Sequence, residues 1–250
     1  SIFRENITAK IISITGSCGK TTLKEMIGLT LQKLSKTTYS PSSFNNKYGV
    51  PLSLFNLKQN DNFGVFEVGM DKKGEIDNLT KIIKPDLGII TNISYAHSKN
   101  FKNIKQIADA KAEIMNNIKN NGTIILNRDD NFYNYHKSLA DNRKLKVISF
   151  GIKDKSSSVK LTKVKKIKKN YELFFNVNDK QVSYYSKNNN NSNLYNILAT
   201  LASIDLYIDV RTLKKDIFFD LKTPKGRVDI SKIVLNDKEI FLVDETYNSN

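Results

Sequence analysis

Residues 11–34 of this 250-residue chain read IISITGSCGKTTLKEMIGLTLQKL, and they decide its fold. Four of the first five residues are β-branched, and this run predicts a buried strand, whereas apolar residues recur at helical spacing from Leu23 onward. A glycine loop separates the two segments: Gly16, Ser17, Cys18, Gly19, Lys20, Thr21 and Thr22. Such a loop presents backbone N–H groups and the positive end of the helix dipole to an anion. Lys20 can reach the outer phosphates of a nucleotide, and the hydroxyl of Thr21 or Thr22 can bind Mg²⁺.

The loop has the short form G-x-x-G-K-T, because Ile14 stands where the full P-loop pattern requires its first glycine. The competing interpretation is a glycine-rich turn with a solvated lysine. Since the flanking strand and helix are those that the motif requires, the stretch predicts a phosphate-binding site.

Strand-like and helical segments alternate around this unit as far as Phe150. The predicted strands are residues 11–15, 37–39, 63–68, 87–91, 123–126 and 146–150, and the predicted helices start at Pro51 and span residues 74–83 and 104–118. This alternation predicts an α/β fold with a doubly wound, mostly parallel sheet. Polar residues follow the ends of these strands, where ligands bind in such sheets.

The pattern changes near Gly151, so we divide the chain into residues 1–150, 151–190 and 191–250. The second part holds three strand-like runs joined by polar turns, which predict a small antiparallel β meander laid against the main domain. The third part adds a helix over residues 193–204 and two strands. Asn193 and Asn196 lie one turn apart at the start of that helix, away from its apolar face.

Composition excludes several classes of protein. Lysine and arginine number 40 against 25 acidic residues, but the lysines are spread along the chain among many asparagines, so we expect no nucleic-acid partner. One cysteine excludes a disulfide framework and fits a reducing compartment. No apolar run reaches the ~18 residues of a membrane span, and the first ten residues lack the apolar core of a signal peptide. The expected location is the cytoplasm.

Four side chains are of types that take part in metal binding or catalysis, and one of them is excluded from the site. Glu67 ends a predicted strand, where it either holds Mg²⁺ or caps the next loop. His97 follows another predicted strand and is either a metal ligand or a structural residue, whereas His136 lies in a polar stretch and is expected to be solvated. Lys111 interrupts an apolar helix stripe, so its stem either extends to solvent or holds a desolvated amine that can form a carbamate with CO₂.

Several short strings occur in an order that resembles the Mur ligases, ATP-dependent amide-bond-forming enzymes of bacterial cell-wall synthesis. They are ITGSCGKTT, SFNNKYGVPLSL, FEVGM, NISYAH, ADAKAEI, NLYNILATLA, KGR and DETYNSN. The resemblance implies that residues 1–250 form the central ATP-binding domain of that family, without its N-terminal UDP-sugar domain and its C-terminal domain. The strings NNKYGVPL and DETYNSN favour the member that adds D-Ala-D-Ala to UDP-MurNAc-tripeptide through an acyl phosphate.

The resemblance also implies roles for individual residues, ATP and two Mg²⁺ ions as cofactors, and a monomer. Lys20 and the loop from Gly16 to Thr22 would hold the phosphates, Thr21, Glu67 and His97 would serve the metals, and Lys111 would carry a carbamate. The nucleotide would also be approached by Asn46, Asn193, Asn196, Arg227 and Asp244. The sequence departs from the family pattern at Ser192, Lys99 and Glu245, where the family has a histidine, an acidic residue and an aspartate, respectively.

Three alternatives remain open from sequence. They are another ligase of the same superfamily with a different amine acceptor, a nucleotide-binding module without catalysis, and a basic nucleic-acid binder. The last would bind nucleic acid with a steep dependence on salt.

Overall fold

The computed structural model describes residue 4 and residues 6–95, 100–221, 229–235 and 238–244 of the chain. The strands are β1 (Lys10–Thr15), β2 (Thr37–Tyr39), β3 (Phe63–Glu67), β4 (Leu87–Ile90), β5 (Thr123–Asn127), β6 (Lys146–Gly151), β7 (Val159–Ile167), β8 (Asn170–Val177), β9 (Lys180–Ser186), β10 (Asp229–Leu235) and β11 (Lys238–Asp244). The helices are α1 (Lys20–Gln32), α2 (Gly49–Phe55), α3 (Glu75–Ile83), α4 (Ile104–Ala112), α5 (Tyr133–Asn142) and α6 (Asn191–Ile204), with 3-10 turns at Glu113–Asn117 and Val210–Thr212.

One sheet organises the fold, with strand order β2-β3-β1-β4-β5-β6-β7-β8-β9. Strands β1 to β6 pair in parallel, and β7, β8 and β9 pair antiparallel. Strand β1 lies between β3 and β4, and its five residues after Lys10 are all buried, as expected of a central parallel strand covered on both faces. Strands β10 and β11 form a separate antiparallel pair. The predicted α/β fold is therefore confirmed.

Apolar side chains form two clusters, as a doubly wound sheet requires. One cluster joins Ile12 and Ile14 of β1 to the apolar faces of α1 and α6 and to the meander strands. The other joins Ile11 of β1 to α2, α3 and α4. Alternate residues of the same strand therefore serve opposite layers, and the loop that follows β1 lies at the edge where both layers end. Among the described residues, no helix combines the length and the hydropathy that a membrane span requires.

The meander is part of the main sheet rather than a layer laid against it. Strand β7 pairs in parallel with the end of β6, through Phe150 with Val159 and Gly151 with Lys160. The turn between these strands is held by Asp129, which accepts hydrogen bonds from the backbone N–H groups of residues 152, 153 and 154 at 2.6, 3.0 and 2.8 Å. Because this turn brings the chain back alongside β6, the antiparallel strands extend the parallel sheet.

Helix α5 is absent from the sequence-based prediction because its sequence, YNYHKSLADN, has few apolar residues to set a period. It buries His136, which is 2% exposed, so the prediction that this side chain is solvated is wrong. The imidazole Nε2 lies 3.1 Å from the carbonyl oxygen of Ala108 in α4, and burial lowers the pKa of His136. His136 therefore joins two helices.

The predicted helix over residues 104–118 is α-helical only as far as Ala112 and then tightens into a 3-10 turn. In that turn, Glu113 accepts hydrogen bonds from the backbone N–H groups of Gly74 at 2.7 Å and Asp77 at 3.2 Å. These donors lie at the start of α3, where backbone N–H groups lack partners within the helix, so the carboxylate caps that helix.

Candidate nucleotide and metal site

The loop after β1 begins at Gly16, whose φ of +142° lies in a region that other residues rarely adopt. A Cβ atom at this position would lie 1.9 Å from Oγ1 of Thr91. That hydroxyl donates a hydrogen bond of 2.7 Å to the carbonyl oxygen of Cys18. The loop therefore rests directly on the residue that follows β4, and the close approach requires glycine.

Asn92 and Ser94, which the sequence-based prediction missed, fix the middle of the loop. The backbone N–H of Ser17 donates to the carbonyl oxygen of Asn92 at 2.9 Å, and that of Cys18 donates to its Oδ1 at 3.1 Å. The Ser17 hydroxyl donates to the carbonyl oxygen of Ser94 at 3.0 Å and accepts from its N–H at 2.9 Å. The signal available in the sequence is the polar string that follows the strand next to β1 in the sheet.

Two lysine side chains converge on the carbonyl oxygen of Gly16. Lys20 Nζ donates to it at 2.9 Å and also donates to the carbonyl oxygen of Ser17 at 3.2 Å. Lys111 Nζ, from the last turn of α4, donates to the same Gly16 oxygen at 2.9 Å. The loop therefore brings two lysine side chains together at the start of α1, which is where an anion binds most favourably.

Lys111 is buried, with 1% of its side chain exposed, so the interpretation in which its stem extends to solvent is wrong. Burial, and to a smaller degree the positive charge of Lys20, lower the pKa of Lys111 to about 7. Burial acts in this direction because it disfavours the charged form of an amine. A substantial fraction of the amine is therefore neutral at neutral pH and is nucleophilic.

Glu67 lies opposite the phosphate loop because β3 pairs in parallel with β1, in a register that matches Glu67 with Ile14. Its carboxylate is buried, and each oxygen has a donor. Oε2 accepts a hydrogen bond of 2.7 Å from the hydroxyl of Thr21, and Oε1 accepts one of 2.8 Å from the side-chain amide of Asn45. The Thr21 hydroxyl also lies 3.4 Å from Oγ of Ser43.

This donor set suits Mg²⁺ rather than a softer metal. Mg²⁺ takes oxygen ligands and is usually held by only one or two carboxylates together with phosphate oxygens and waters. A carboxylate of Glu67 and a hydroxyl of Thr21 already lie within hydrogen-bond distance, directly beside the loop that would hold the phosphates. The residues present therefore fit a magnesium ion bound with a nucleotide.

A family model of the Mur ligase middle domain matches residues 14–204. The chain belongs to the Mur ligase family. This confirms the family that the sequence resembles. The match begins at Ile14, in β1, and ends at Ile204, the last residue of α6. It therefore contains the phosphate loop, Glu67, Lys111 and both asparagines of α6.

Named relatives support the same family. The UDP-N-acetylmuramoyl-tripeptide--D-alanyl-D-alanine ligase of Buchnera aphidicola is 35% identical, over 99% of this chain and 53% of that protein. The crystal structure of MurF from Acinetobacter baumannii superposes with a TM-score of 0.89 at 28% identity, over 99% of this chain and 53% of that one. MurF ligase from Thermotoga maritima, in complex with ADP, gives a TM-score of 0.82 at 26% identity, over 99% and 56%. This Mur ligase chain thus spans about half the length of these relatives.

The two adjacent asparagines of the Mur ligase string SFNNKYGVPLSL have different partners. Asn45 binds Glu67, as described above, whereas Asn46 Oδ1 accepts hydrogen bonds from the backbone N–H groups of Tyr48 at 3.1 Å and Gly49 at 3.0 Å. Asn46 is therefore engaged with the start of α2, and Asn45 is the amide that meets the carboxylate. The family resemblance implies a place near the nucleotide for Asn46, and nothing in the string itself indicates that Asn45 is the amide that binds Glu67.

The asparagines of α6 are also separated by the fold. Asn196 is 8% exposed, and its Oδ1 lies 3.6 Å from the position that a Cβ on Gly19 would occupy. Asn193 instead donates to the Ser186 hydroxyl and to the carbonyl oxygen of Asn188, both at 3.2 Å. Asn196 thus lies beside the phosphate loop, while Asn193 holds the segment that leads into α6.

Other predicted site residues are only partly described. His97 and Arg227 lie outside the described residues. Asp244 is the last residue of β11, and its side chain is likewise outside the description. Thr22 is half-buried in the first turn of α1, after Thr21.

Asp129, which follows β5, is a further polar residue that the sequence-based prediction did not single out as functional. It accepts a hydrogen bond of 2.9 Å from the hydroxyl of Tyr195, in addition to those from the turn after β6. Burial alone would raise the pKa of Asp129, but hydrogen bonds from three backbone N–H groups and from Tyr195 outweigh burial and lower this pKa. Asp129 therefore fixes α6, and with it Asn196, to the end of the parallel sheet.

Proposed function

We propose that this chain is the nucleotide-binding part of an ATP-dependent ligase that adds D-Ala-D-Ala to UDP-MurNAc-tripeptide in peptidoglycan precursor synthesis. The names of the relatives support this function, and so does the complex of one of them with ADP. The observation that carries the proposal is the 2.7 Å hydrogen bond between Thr21 of the phosphate loop and Glu67 of the adjacent strand. A protein that has lost the activity can still resemble its family. The Thr21–Glu67 pair, in contrast, places a hydroxyl and a carboxylate where they can bind Mg²⁺.

The predicted site residues have the following roles in this proposal. Lys20 binds the outer phosphates, and Thr21 and Glu67 supply oxygen ligands for Mg²⁺. When bound, Mg²⁺ offsets the negative charge that develops on the transferred phosphoryl group. Lys111, as a partly neutral amine, attacks CO₂ through its nitrogen and loses a proton, which leaves a carbamate that supports a second Mg²⁺. Asn196 faces the nucleotide beside Gly19, and Asn46, Asn193, His97, Arg227 and Asp244 keep the roles that the family implies.

The proposed reaction has two steps. A carboxylate oxygen of the UDP-MurNAc-tripeptide attacks the γ-phosphorus of ATP, the bond to the β–γ bridging oxygen breaks, and ADP leaves with an acyl phosphate formed. The amine of D-Ala-D-Ala then attacks the acyl carbon and loses a proton, and inorganic phosphate leaves. We place this chemistry in the cytoplasm, in a monomer. Residues 1–150 form its parallel core, 151–190 its antiparallel strands, and 191–250 the helix and strands that complete the nucleotide-binding domain.

Nucleotide binding is the first test. We expect calorimetric titration with ADP and Mg²⁺ to give saturable binding that Lys20→Ala abolishes, because the loop loses its contact with the outer phosphates. Lys166→Ala, on the exposed part of β7, is the matched loss of a lysine and is expected to bind like the wild type. Equal binding by Lys20→Ala and the wild type would refute the assignment of the loop.

The acceptor is tested by phosphate release in the longest polypeptide that carries this sequence. We expect release in the presence of ATP and UDP-MurNAc-tripeptide to require D-Ala-D-Ala, with little release on single amino acids. A preference for a single amino acid would indicate another ligase of the superfamily, and nucleotide binding without release would indicate a non-catalytic module. Salt-sensitive binding to RNA or DNA, without nucleotide binding, would indicate a nucleic-acid binder.

A further inference from the structure

Glu67 is held on both of its oxygens, and only one of the two donors belongs to the phosphate loop. Thr21 donates to Oε2, and Asn45 donates to Oε1 at 2.8 Å from the loop between β2 and α2. Two donors on opposite oxygens fix the rotation of a carboxylate about its last torsion, which is otherwise broad. The amide on one side thereby fixes the direction in which the other oxygen meets Thr21.

Asn45 is itself held at this position from three directions. Its carbonyl oxygen accepts a hydrogen bond of 2.8 Å from the backbone N–H of Gly69, and its own N–H donates to the carbonyl oxygen of Ser43 at 2.7 Å. A Cβ on Gly69 would lie 2.9 Å from Cγ of Asn45, so the side-chain amide occupies space that only a glycine leaves open. The segment after β3 thus accommodates the amide that binds the end of β3.

The loop that carries Asn45 is anchored to the phosphate-loop helix. Lys24 of α1 has no exposed side-chain surface, and its Nζ donates to the carbonyl oxygens of Ser40 at 2.7 Å and Ser42 at 2.9 Å. The same helix begins with Lys20 and Thr21. Loop 40–45 and the phosphate loop are therefore tied to one helix, which holds Asn45 and Thr21 in a fixed relation to each other.

We propose that Asn45 is a positioning residue, which fixes the plane of the Glu67 carboxylate so that one of its oxygens faces the Thr21 hydroxyl and the Mg²⁺ of the bound nucleotide. The inference rests on the proposed function, because it concerns the metal that accompanies the nucleotide. An amide suits this task because it donates a hydrogen bond to the carboxylate and carries no charge. A lysine or an arginine would donate as well, but its positive charge would neutralise the carboxylate. Partners of this kind behind a metal ligand change metal affinity by about 10- to 100-fold when they are removed.

The test compares two substitutions of Asn45 with a matched control. Asn45→Leu keeps the approximate shape of the amide without its donor, and Asn45→Ala removes the side chain in case leucine is not accommodated. The control is Asn117→Ala, which also removes an amide that donates to a carboxylate, in this case Asp77 Oδ1 at 3.0 Å, where the 3-10 turn after α4 meets α3. Thermal unfolding of the wild type and the three variants shows which of these proteins are folded.

The measured quantity is the Mg²⁺ concentration that gives half-maximal ADP binding, obtained by calorimetry on the 250-residue chain. We expect this concentration to rise about 10- to 100-fold in the folded Asn45 variants and to stay within about twofold of the wild type in Asn117→Ala. ADP binding without Mg²⁺ should be equal in all of them, which a general loosening of the fold would not produce.

Three outcomes would overturn the proposal, and they can be distinguished. A wild type that binds ADP with Mg²⁺, together with an Asn45 variant of unchanged Mg²⁺ dependence, would overturn the role of Asn45 and leave the proposed function standing. A wild type that binds no ADP at any Mg²⁺ concentration would overturn both. An equal shift in Asn117→Ala would also overturn the role, because the effect would then be global.

Discussion

Replacing Gly16 by alanine should destabilise the chain far more than the same change at another glycine of positive φ. Gly74, with φ of +89°, supplies the comparison, since a Cβ added there would meet no described atom within 4 Å beyond its chain neighbours. At Gly74 the cost is the left-handed backbone conformation alone, about 1–2 kcal/mol for a residue that carries a Cβ. Gly16 has the same kind of backbone cost, with φ of +142°, and a Cβ there would also lie 1.9 Å from Thr91 Oγ1.

The additional cost follows from what Thr91 must give up. Its side chain has to move away, and the 2.7 Å hydrogen bond to the carbonyl oxygen of Cys18 is lost, a net contribution of about 1 kcal/mol. Its backbone nitrogen would still lie 3.0 Å from the new Cβ, so the strand end must shift as well. We therefore expect Gly16→Ala to lower the free energy of unfolding by roughly 3–4 kcal/mol, within the range of strained or overpacked sites.

Urea unfolding followed by circular dichroism measures the free energy of unfolding of Gly16→Ala and Gly74→Ala. The comparison is valid if the slope of this free energy with urea concentration is the same as in the wild type. The double variant Gly16→Ala/Thr91→Ala should be more stable than the sum of the two single losses predicts, because the 1.9 Å contact is absent. If Gly16→Ala costs no more than Gly74→Ala, or if the two substitutions are additive, the contact does not constrain the loop and the reasoning is refuted.

Three further outcomes are expected. Lys111→Met should change how the free energy of unfolding depends on pH. The pKa of Lys111 falls from 10.5 to about 7 on folding, so the unfolded chain binds more protons than the folded chain between these pH values. Wild-type stability therefore rises with pH in this range, by up to ~5 kcal/mol. Urea unfolding at about pH 7 and pH 9.5 should show a steeper rise in the wild type, and parallel profiles would contradict the buried amine. Asn46→Ala should cost about 1 kcal/mol, with Asn46→Ser restoring most of it, since the side-chain oxygen caps the start of α2; equal losses would contradict the cap. Tyr184→Phe removes the 2.6 Å hydrogen bond to the carbonyl oxygen of Val210 and should cost about 1–3 kcal/mol in the same assay, whereas an unchanged midpoint would show that the carbonyl finds another donor.

The phosphate loop and the parallel sheet could be predicted from sequence because their signals are local. A β-branched run, two glycines and a helical period from Leu23 specify β1, the loop and α1 in adjacent residues. The pairing of Thr21 with Glu67 is different, since the residues are 46 positions apart and meet only through the register of β1 with β3. The sequence places Thr21 and Glu67 near strand ends, but it does not show that the Thr21 hydroxyl donates to the Glu67 carboxylate.

The predictions that were wrong or left open by the sequence have the same physical origin. His136 is surrounded by polar residues in sequence, yet the packing of α5 on α4 buries it. Lys111 leaves two interpretations open because a lysine on an apolar stripe can extend to solvent only if the neighbouring element leaves a path. Which of two adjacent amides reaches Glu67 depends on how loop 40–45 is anchored, and Lys24, which anchors it, lies in the preceding helix rather than in the loop itself. Long-range packing decides each of these cases.

The loop concentrates several features that each oppose folding. They are Gly16 at φ of +142°, the buried side chain of Lys111, and two lysine Nζ atoms on one carbonyl oxygen. Such features persist only where the surroundings over-determine the conformation, and here Thr91 and Asn92 fix the loop while the buried β1 fixes its start. Because the backbone is already ordered, a polyphosphate would not have to supply the free energy of ordering it. It would also add negative charge next to the ammonium group of Lys20 at the start of α1, where an anion is favoured.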